Sequence, residues 1–365
     1  PVNAYDKNPW QKRVFTPADG DQWLYAKRVA RVSGAFSTEV DEHFTGTHLN
    51  VEQYAVAAYR NFRRGPLAAL LFPHLKEVAL VNHSADNLLI HQYIPSATAL
   101  TENGLHARCV DLLGMQDWKH WKPMDVLSDK HTCAKAEQLF WQVVKEFIDG
   151  FFEENAEEIK AYWHEVYYFS EDLVNHAVPV FLSDFDWEHA DPDTRKLAED
   201  RLEYYAFQYA FDRRAPRRRV NGQLKTVSPI TETPDFNNVP PEDWDNLKKV
   251  CAYAVMMASY MHTWINEHQY DDLGEVFYSC GGLRFGKHER GILAPESDLS
   301  IAPDLTRSTQ MLWFTNFLSR TEYGFITRNE EGDVHPLLRK LLQDKKEAFA
   351  RLGVDIDAIE SRTNI

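Results

Sequence analysis

Closely spaced cysteines, long apolar runs and alternating strand patterns are all scarce in this 365-residue chain. Its four cysteines, Cys109, Cys133, Cys251 and Cys280, stand far apart and form no C-x-x-C pair. That spacing argues against a disulfide framework or a thiolate zinc site and points to a reducing compartment. The longest apolar stretch, residues 250 to 261, is too short to span a bilayer, and the opening residues PVNAYDKNPWQKR lack the apolar run of a secretory signal. The expectation is a soluble, cytoplasmic protein with no integral membrane association, a signal removed before Pro1 being the alternative. Positive charge is the minority sign: 40 Lys and Arg against 55 Asp and Glu give a net charge of −15. Such a balance repels a phosphate backbone, so nucleic acid is a poor partner.

Several catalytic signatures are missing as well. There is no H-E-x-x-H, no E-x-x-H pair of the kind that holds two irons in a helical bundle, no G-x-S-x-G and no glycine-rich phosphate loop. Strand-like segments bounded by Asn-Gly or Asp-Gly turns are nearly absent, which leaves too few candidates for a sheet. Hydrophobic residues make up 44% of the chain and aromatics 13%, ample for a packed core.

What is present is helical periodicity. Residues 22–43, 50–63, 134–163, 194–211 and 242–267 all place apolar side chains at a spacing of three and four, which predicts helices. Residues 220–241, rich in Pro, Asn and Thr, read as a surface loop. The fold class is therefore mainly α, and residues 1–365 read as a single helical domain.

Among 15 histidines, few stand at chemically useful spacings. His43 and His48, in DEHFTGTH, are five apart, which on a regular α-helix separates them by about 140°. An inserted π turn brings that to within about 50°. A shared metal at this pair therefore requires a π-bulge. His262 and Asn266, in MHTWINEHQY, are four apart and share one helical face without distortion. An imidazole or carboxamide in an apolar helix is costly to bury unless it is hydrogen-bonded or bound to metal. The same spacings also fit satisfied core histidines. If a metal is held, three imidazoles, a carboxamide oxygen and a carboxylate, for which the terminus at Ile365 is available, form a mixed N/O set suited to iron or manganese.

The window WLYAKRVARVSGAFSTEVDEHFTGTH, Trp23 to His48, resembles the first ligand region of the lipoxygenase family without a gap. The likeness continues through VEQYAVAAYRN, with Arg60 in register, and LLFPHLKEVALVN, and returns at His262-x3-Asn266 followed by Gln269-Tyr270. It covers residues 20 to 165 and 242 to 275 best. The resemblance implies a compact helical catalytic core in which His43, His48, His262, Asn266 and the carboxylate of Ile365 hold one non-haem iron, with manganese as the alternative ion. Gln269 would then link the metal to the substrate cavity. Asn82, Ala85 and Leu89 would lie on a cavity-lining helix, Ala85 setting the face of oxygen attack, in favour of an S hydroperoxide, and Leu89 clamping the reactive carbon.

The implied activity is insertion of O2 into the 1,4-pentadiene unit of a polyunsaturated fatty acid, giving a conjugated hydroperoxide. Arg60 or the basic run from Arg213 to Arg219 would meet the substrate carboxylate. Two departures stand out. Glu39 occupies a position where the family usually has Gln, and the early first ligand implies a core without the N-terminal β-barrel of plant and animal members. Alternative readings keep the fold but change the substrate to another polyene or natural product, or remove the metal and leave a helical binding protein.

Overall fold

The computed structural model describes residues 14–85, 102–113, 118–175, 192, 238–274, 305–320, 326–329 and 333–357. Among these the chain is helical, with a single isolated β-bridge between Arg328 and Val334. No helix is long and apolar enough to cross a membrane among the described residues. The candidate helix at 194–211, the loop at 220–237 and the basic run at 213–219 lie outside them.

The expected mainly-α class is what forms. Helix α1 spans Asp21–Phe36 and runs directly into a π-helical stretch, π1, at Ser37–Leu49, which continues as α2, Asn50–Asn61. Next come α3 (Pro66–Leu75), α4 (Val78–Ala85), α5 (Glu102–Leu113), α6 (Thr132–Glu154), α7 (Ala156–Ala161) and α8 (Trp163–Asn175). Helix α9 (Pro241–Met256) passes through a second π stretch, π2 (Met257–Met261), into α10 (His262–Leu273). Helices α11 (Leu305–Arg320), α12 (Pro336–Asp344) and α13 (Lys346–Arg351) follow.

The segment expected as one helix over 134–163 is broken twice, at Asn155 and Tyr162. Asn155 explains the first break. Both its backbone N–H, at 3.1 Å, and its side-chain Nδ2, at 2.8 Å, donate to the Phe151 carbonyl, so the side chain competes for the last turn and ends it.

The chain divides into two compact units, interleaved in sequence. In the first, residues 1–43, 86–105 and 265–321, the described helices are α1, most of α10 and α11. Here α10 and α11 are stapled by polar contacts: the Ser319 hydroxyl donates to the Asn266 carbonyl at 3.0 Å and accepts the Tyr270 N–H at 3.2 Å.

The second unit, residues 44–85, 106–264 and 322–365, holds a large apolar core. Helix α6 carries Phe140, Val143, Val144, Phe147, Ile148, Phe151 and Phe152, all buried and spaced as one helical face requires. That face receives α9 and α12, while α2 packs on α3, α4 and α8. Where α12 approaches, Gly150 leaves the room that Leu337 fills: a Cβ there would stand 2.6 Å from Leu337 Cδ2.

Trp163 is fully buried, with its ring 6.1 Å from that of Trp244 in a stacked arrangement, and Phe152 meets Trp244 edge-on at 5.2 Å. Truncation of Trp163 to alanine leaves a cavity the neighbours cannot close. It is expected to cost about 4 kcal/mol of unfolding free energy, read from urea denaturation followed by far-UV circular dichroism.

Candidate metal centre

His43 and His48 both sit on π1, and His262 opens α10 immediately after π2. All three are buried, and each offers a ring nitrogen within 4.8 Å of the others. The π geometry is what the five-residue spacing of the first pair demanded, because the wider turn swings His48 back onto the face of His43. The second π stretch has no such spacing to betray it. MASYM reads as ordinary apolar helix, and only the structure shows the widened turn leading into His262.

For two of the imidazoles the hydrogen bond at Nδ1 determines which nitrogen carries the proton. His43 Nδ1 lies 3.0 Å from Glu39 Oε2, one turn earlier. A carboxylate only accepts, so Nδ1 carries the proton and Nε2 presents its lone pair. His48 Nδ1 lies 3.1 Å from Asn82 Oδ1, another acceptor, with the same consequence. His48 Nε2 then faces His262 Nε2 at 3.1 Å, the two rings nearly perpendicular at 88°. Two ring nitrogens held at that distance share either one proton or one cation. Two imidazoles bound at right angles to an ion, at the roughly 2.1 Å usual for such bonds, stand about 3.0 Å apart. The donor set fits a metal, and it contains no thiolate. Burial pushes the Cys251 thiol up, and burial followed by Glu137 pushes up that of Cys133, so both stay protonated. Cys109, Cys133 and Cys251 are all free of disulfides.

The helix that bears His43 and His48 is pinned from the side. Asn50 Nδ2 donates to the Gly46 carbonyl at 3.1 Å and to the Tyr253 hydroxyl on α9 at 2.6 Å, while the Thr45 hydroxyl donates to Cys109 Sγ on α5 at 3.3 Å.

Asn266 is buried one turn after His262 on α10. Its Nδ2 donates to the Leu318 carbonyl at 3.0 Å, which fixes the amide so that Oδ1 points away from that acceptor. Gln269, also buried, donates Nε2 to that Oδ1 at 2.6 Å and to the Asn266 carbonyl at 3.0 Å. One lone pair of Oδ1 is occupied by this bond and a second is left to donate. Gln269→Leu removes the support, and metal affinity is expected to fall roughly 10–100-fold, measured by competition with a chelator, with the helical dichroism unchanged.

The remaining sequence-derived site residues are less closely gathered. Ala85 ends α4, half-buried. Arg60 lies on α2 with its side chain 54% exposed and its guanidinium 3.7 Å from Asp172, a surface ion pair. Leu89 and Ile365 lie outside the described residues. Asn82, expected on a cavity-lining helix, lies on α4 and is a direct hydrogen-bond partner of His48. Behind it stands a residue the sequence reading missed, Glu52, wholly buried and bonded to Asn82 Nδ2 at 2.7 Å. Its signal was an acidic residue four positions after His48 in an apolar helix.

Fold and cluster together define a class: a mainly helical chain with buried histidines borne by π-interrupted helices. Known proteins resemble it. The Lipoxygenase family model matches residues 1–103. The linolenate 9R-lipoxygenase of Nostoc sp. (strain PCC 7120 / SAG 25.82 / UTEX 2576) is 26% identical over 272 residues, covering 71% of this chain and 27% of that protein. The crystal structure of a 9R-lipoxygenase from Cyanothece PCC8801 superposes with a TM-score of 0.75 at 34% identity, covering 97% of this chain and 51% of that one. A lipoxygenase structure described as Delta413-417:GS LOX shares the fold at a TM-score of 0.60 and 15% identity, over 97% of this chain and 49% of the other. The chain is thus similar to lipoxygenases in its first 103 residues and, in fold, over nearly its whole length. It spans about half the length of the solved relatives and about a quarter of the curated one.

Proposed function

We propose that the chain is a non-haem iron dioxygenase that inserts O2 into the 1,4-pentadiene unit of a polyunsaturated fatty acid, with residues 1–365 acting as one catalytic domain. The observation that carries this reading is the convergence of three buried imidazole nitrogens within 4.8 Å, two of them with Nδ1 committed to acceptors. His43, His48, His262, Asn266 and the terminal carboxylate of Ile365 would hold the ion. Such an ion supplies a one-electron couple able to take a hydrogen atom from a methylene between two double bonds.

The protein's own groups account for the rest. Glu39 and Asn82 hold two imidazoles in the tautomer that donates through Nε2, and Gln269 holds the Asn266 carboxamide. The apolar residues of π2 and α9, buried throughout from Val250 to Tyr260, keep water from the His262 side of the site. O2 would add to the carbon radical, and the electron and proton taken from the methylene would be returned to the peroxyl, so that substrate plus O2 balances the conjugated diene hydroperoxide. The relatives support a fatty acid as substrate, one being named for linolenate.

Incubating iron-loaded protein with linoleic or linolenic acid should produce O2 uptake with a matching rise in conjugated-diene absorbance. Lack of uptake by iron-loaded protein would move the substrate to another polyene, and a folded protein without stoichiometric iron or manganese would sink the enzyme reading altogether. Chiral chromatography of the product decides the stereochemistry, for which Ala85 implies S while both 9R-lipoxygenase relatives are named for R.

A further inference from the structure

We infer that Glu52 is a positioning residue for the metal centre: it locks the Asn82 carboxamide in the one orientation that makes His48 a ligand through Nε2. This rests on the reading of His48 as a metal ligand. Asn82 Nδ2 has two hydrogens and two partners, the His48 carbonyl at 3.0 Å and Glu52 Oε2 at 2.7 Å. Both partners are acceptors, with no proton to return. Turning the amide over would put Oδ1 against a carbonyl and a carboxylate at once, in a place where Asn82 is 3% exposed and Glu52 is 0% exposed, so no water relieves the clash.

Oδ1 is therefore held on His48 Nδ1, the Nδ1 proton is required by that contact, and the lone pair of Nε2 is left facing His262. With the carboxylate gone, only one of the two repulsive contacts opposes the flip. The chain from carboxylate to amide to imidazole also polarises each bond in turn, which strengthens the donor nitrogen. A fully buried carboxylate is costly to desolvate. Glu52 stands one turn after His48 on α2, where its carboxylate meets the Asn82 amide.

The test exchanges the two polarities. Asn82→Asp replaces the donor facing Glu52 with an oxygen, and metal affinity, measured by chelator competition on the full chain, should fall at least about tenfold. Adding Glu52→Gln gives that oxygen an amide donor, lets the new carboxylate accept the His48 Nδ1 proton, leaves only the His48 carbonyl opposed to it, and should recover affinity at least about threefold over Asn82→Asp. A purely structural role for Glu52 predicts no such recovery, and its absence in a folded double variant overturns the inference.

A second measurement stands independently of loading. In the metal-free protein, 15N shifts of the His48 imidazole should report an Nδ1-protonated ring, while Glu52→Leu, which fills the volume without an acceptor, should mix in the other tautomer. An unchanged tautomer in Glu52→Leu counts against the positioning role. A parent protein that binds no metal would instead remove the ligand assignment on which the role depends.

Discussion

Replacing His262 with alanine is expected to abolish stoichiometric metal binding, and with it any oxygenase activity, while leaving the helical dichroism close to that of the parent. His262 is 3% exposed and its Nε2 faces that of His48 at 3.1 Å, so its removal takes away one of the three imidazoles clustered among the described residues. The loss should exceed the roughly 10–100-fold that removing a supporting hydrogen bond costs a metal site. No neighbour on the same helix can substitute: His268 is six residues on, about 240° around the axis, and points to another face. Alanine is also the best helix former, so α10 itself is not weakened by the exchange. Elemental analysis of the purified variant beside its dichroism spectrum reads both halves of the expectation, and a stoichiometrically metallated variant would show the ligand set to be wrong.

Acid should weaken the second unit through a different histidine. His74, on α3, is 1% exposed, and its Nε2 accepts the Thr327 backbone N–H at 3.0 Å beside the Thr327 hydroxyl at 2.7 Å. That hydroxyl in turn donates to the Leu70 carbonyl at 3.1 Å. Burial lowers the His74 pKa to about 3, against the 6.5 of an ordinary imidazole. Between those values the unfolded chain binds a proton that the folded chain refuses, because protonating Nε2 would break its bond to Thr327 and place an uncompensated charge in the core.

Stability from this group is thus fully present above pH 6.5, falls as the pH drops towards 3, and changes no further below it. The slope approaches 1.36 kcal/mol per pH unit and the total is about 5 kcal/mol. Urea denaturation at a series of pH values between 7.5 and 4 reads this directly. The same series on His74→Gln, which keeps a side-chain acceptor but cannot titrate, should lose most of the slope. An equal slope in both proteins would place the acid sensitivity elsewhere.

The two histidine predictions differ in how visible their bases were in the sequence. The His262–Asn266 pair declares itself by spacing, since four residues on a helix fix a common face whatever the rest of the chain does. His43 and His48 declare something more specific, because five residues do not fit an α-helix and the mismatch itself calls for the π turn that forms. Nothing comparable marks His74, whose partner Thr327 lies 253 positions away. Nor does the sequence mark the carbonyl of Leu318, which orients Asn266 across 52 residues, or Asn82, which reaches His48 across 34.

The sequence by itself determined the helical class and the angular placement of candidate ligands on their own helices, because periodicity and residue type act locally through the fixed geometry of a helical turn. Only the tertiary structure decided which acceptor stands behind His43 and His48, which of their nitrogens thereby carries the proton, and that a wholly buried carboxylate at Glu52 backs Asn82. Those depend on how one helix is set against another, which is fixed by the packing of the complete apolar surfaces and is written in no single stretch of residues.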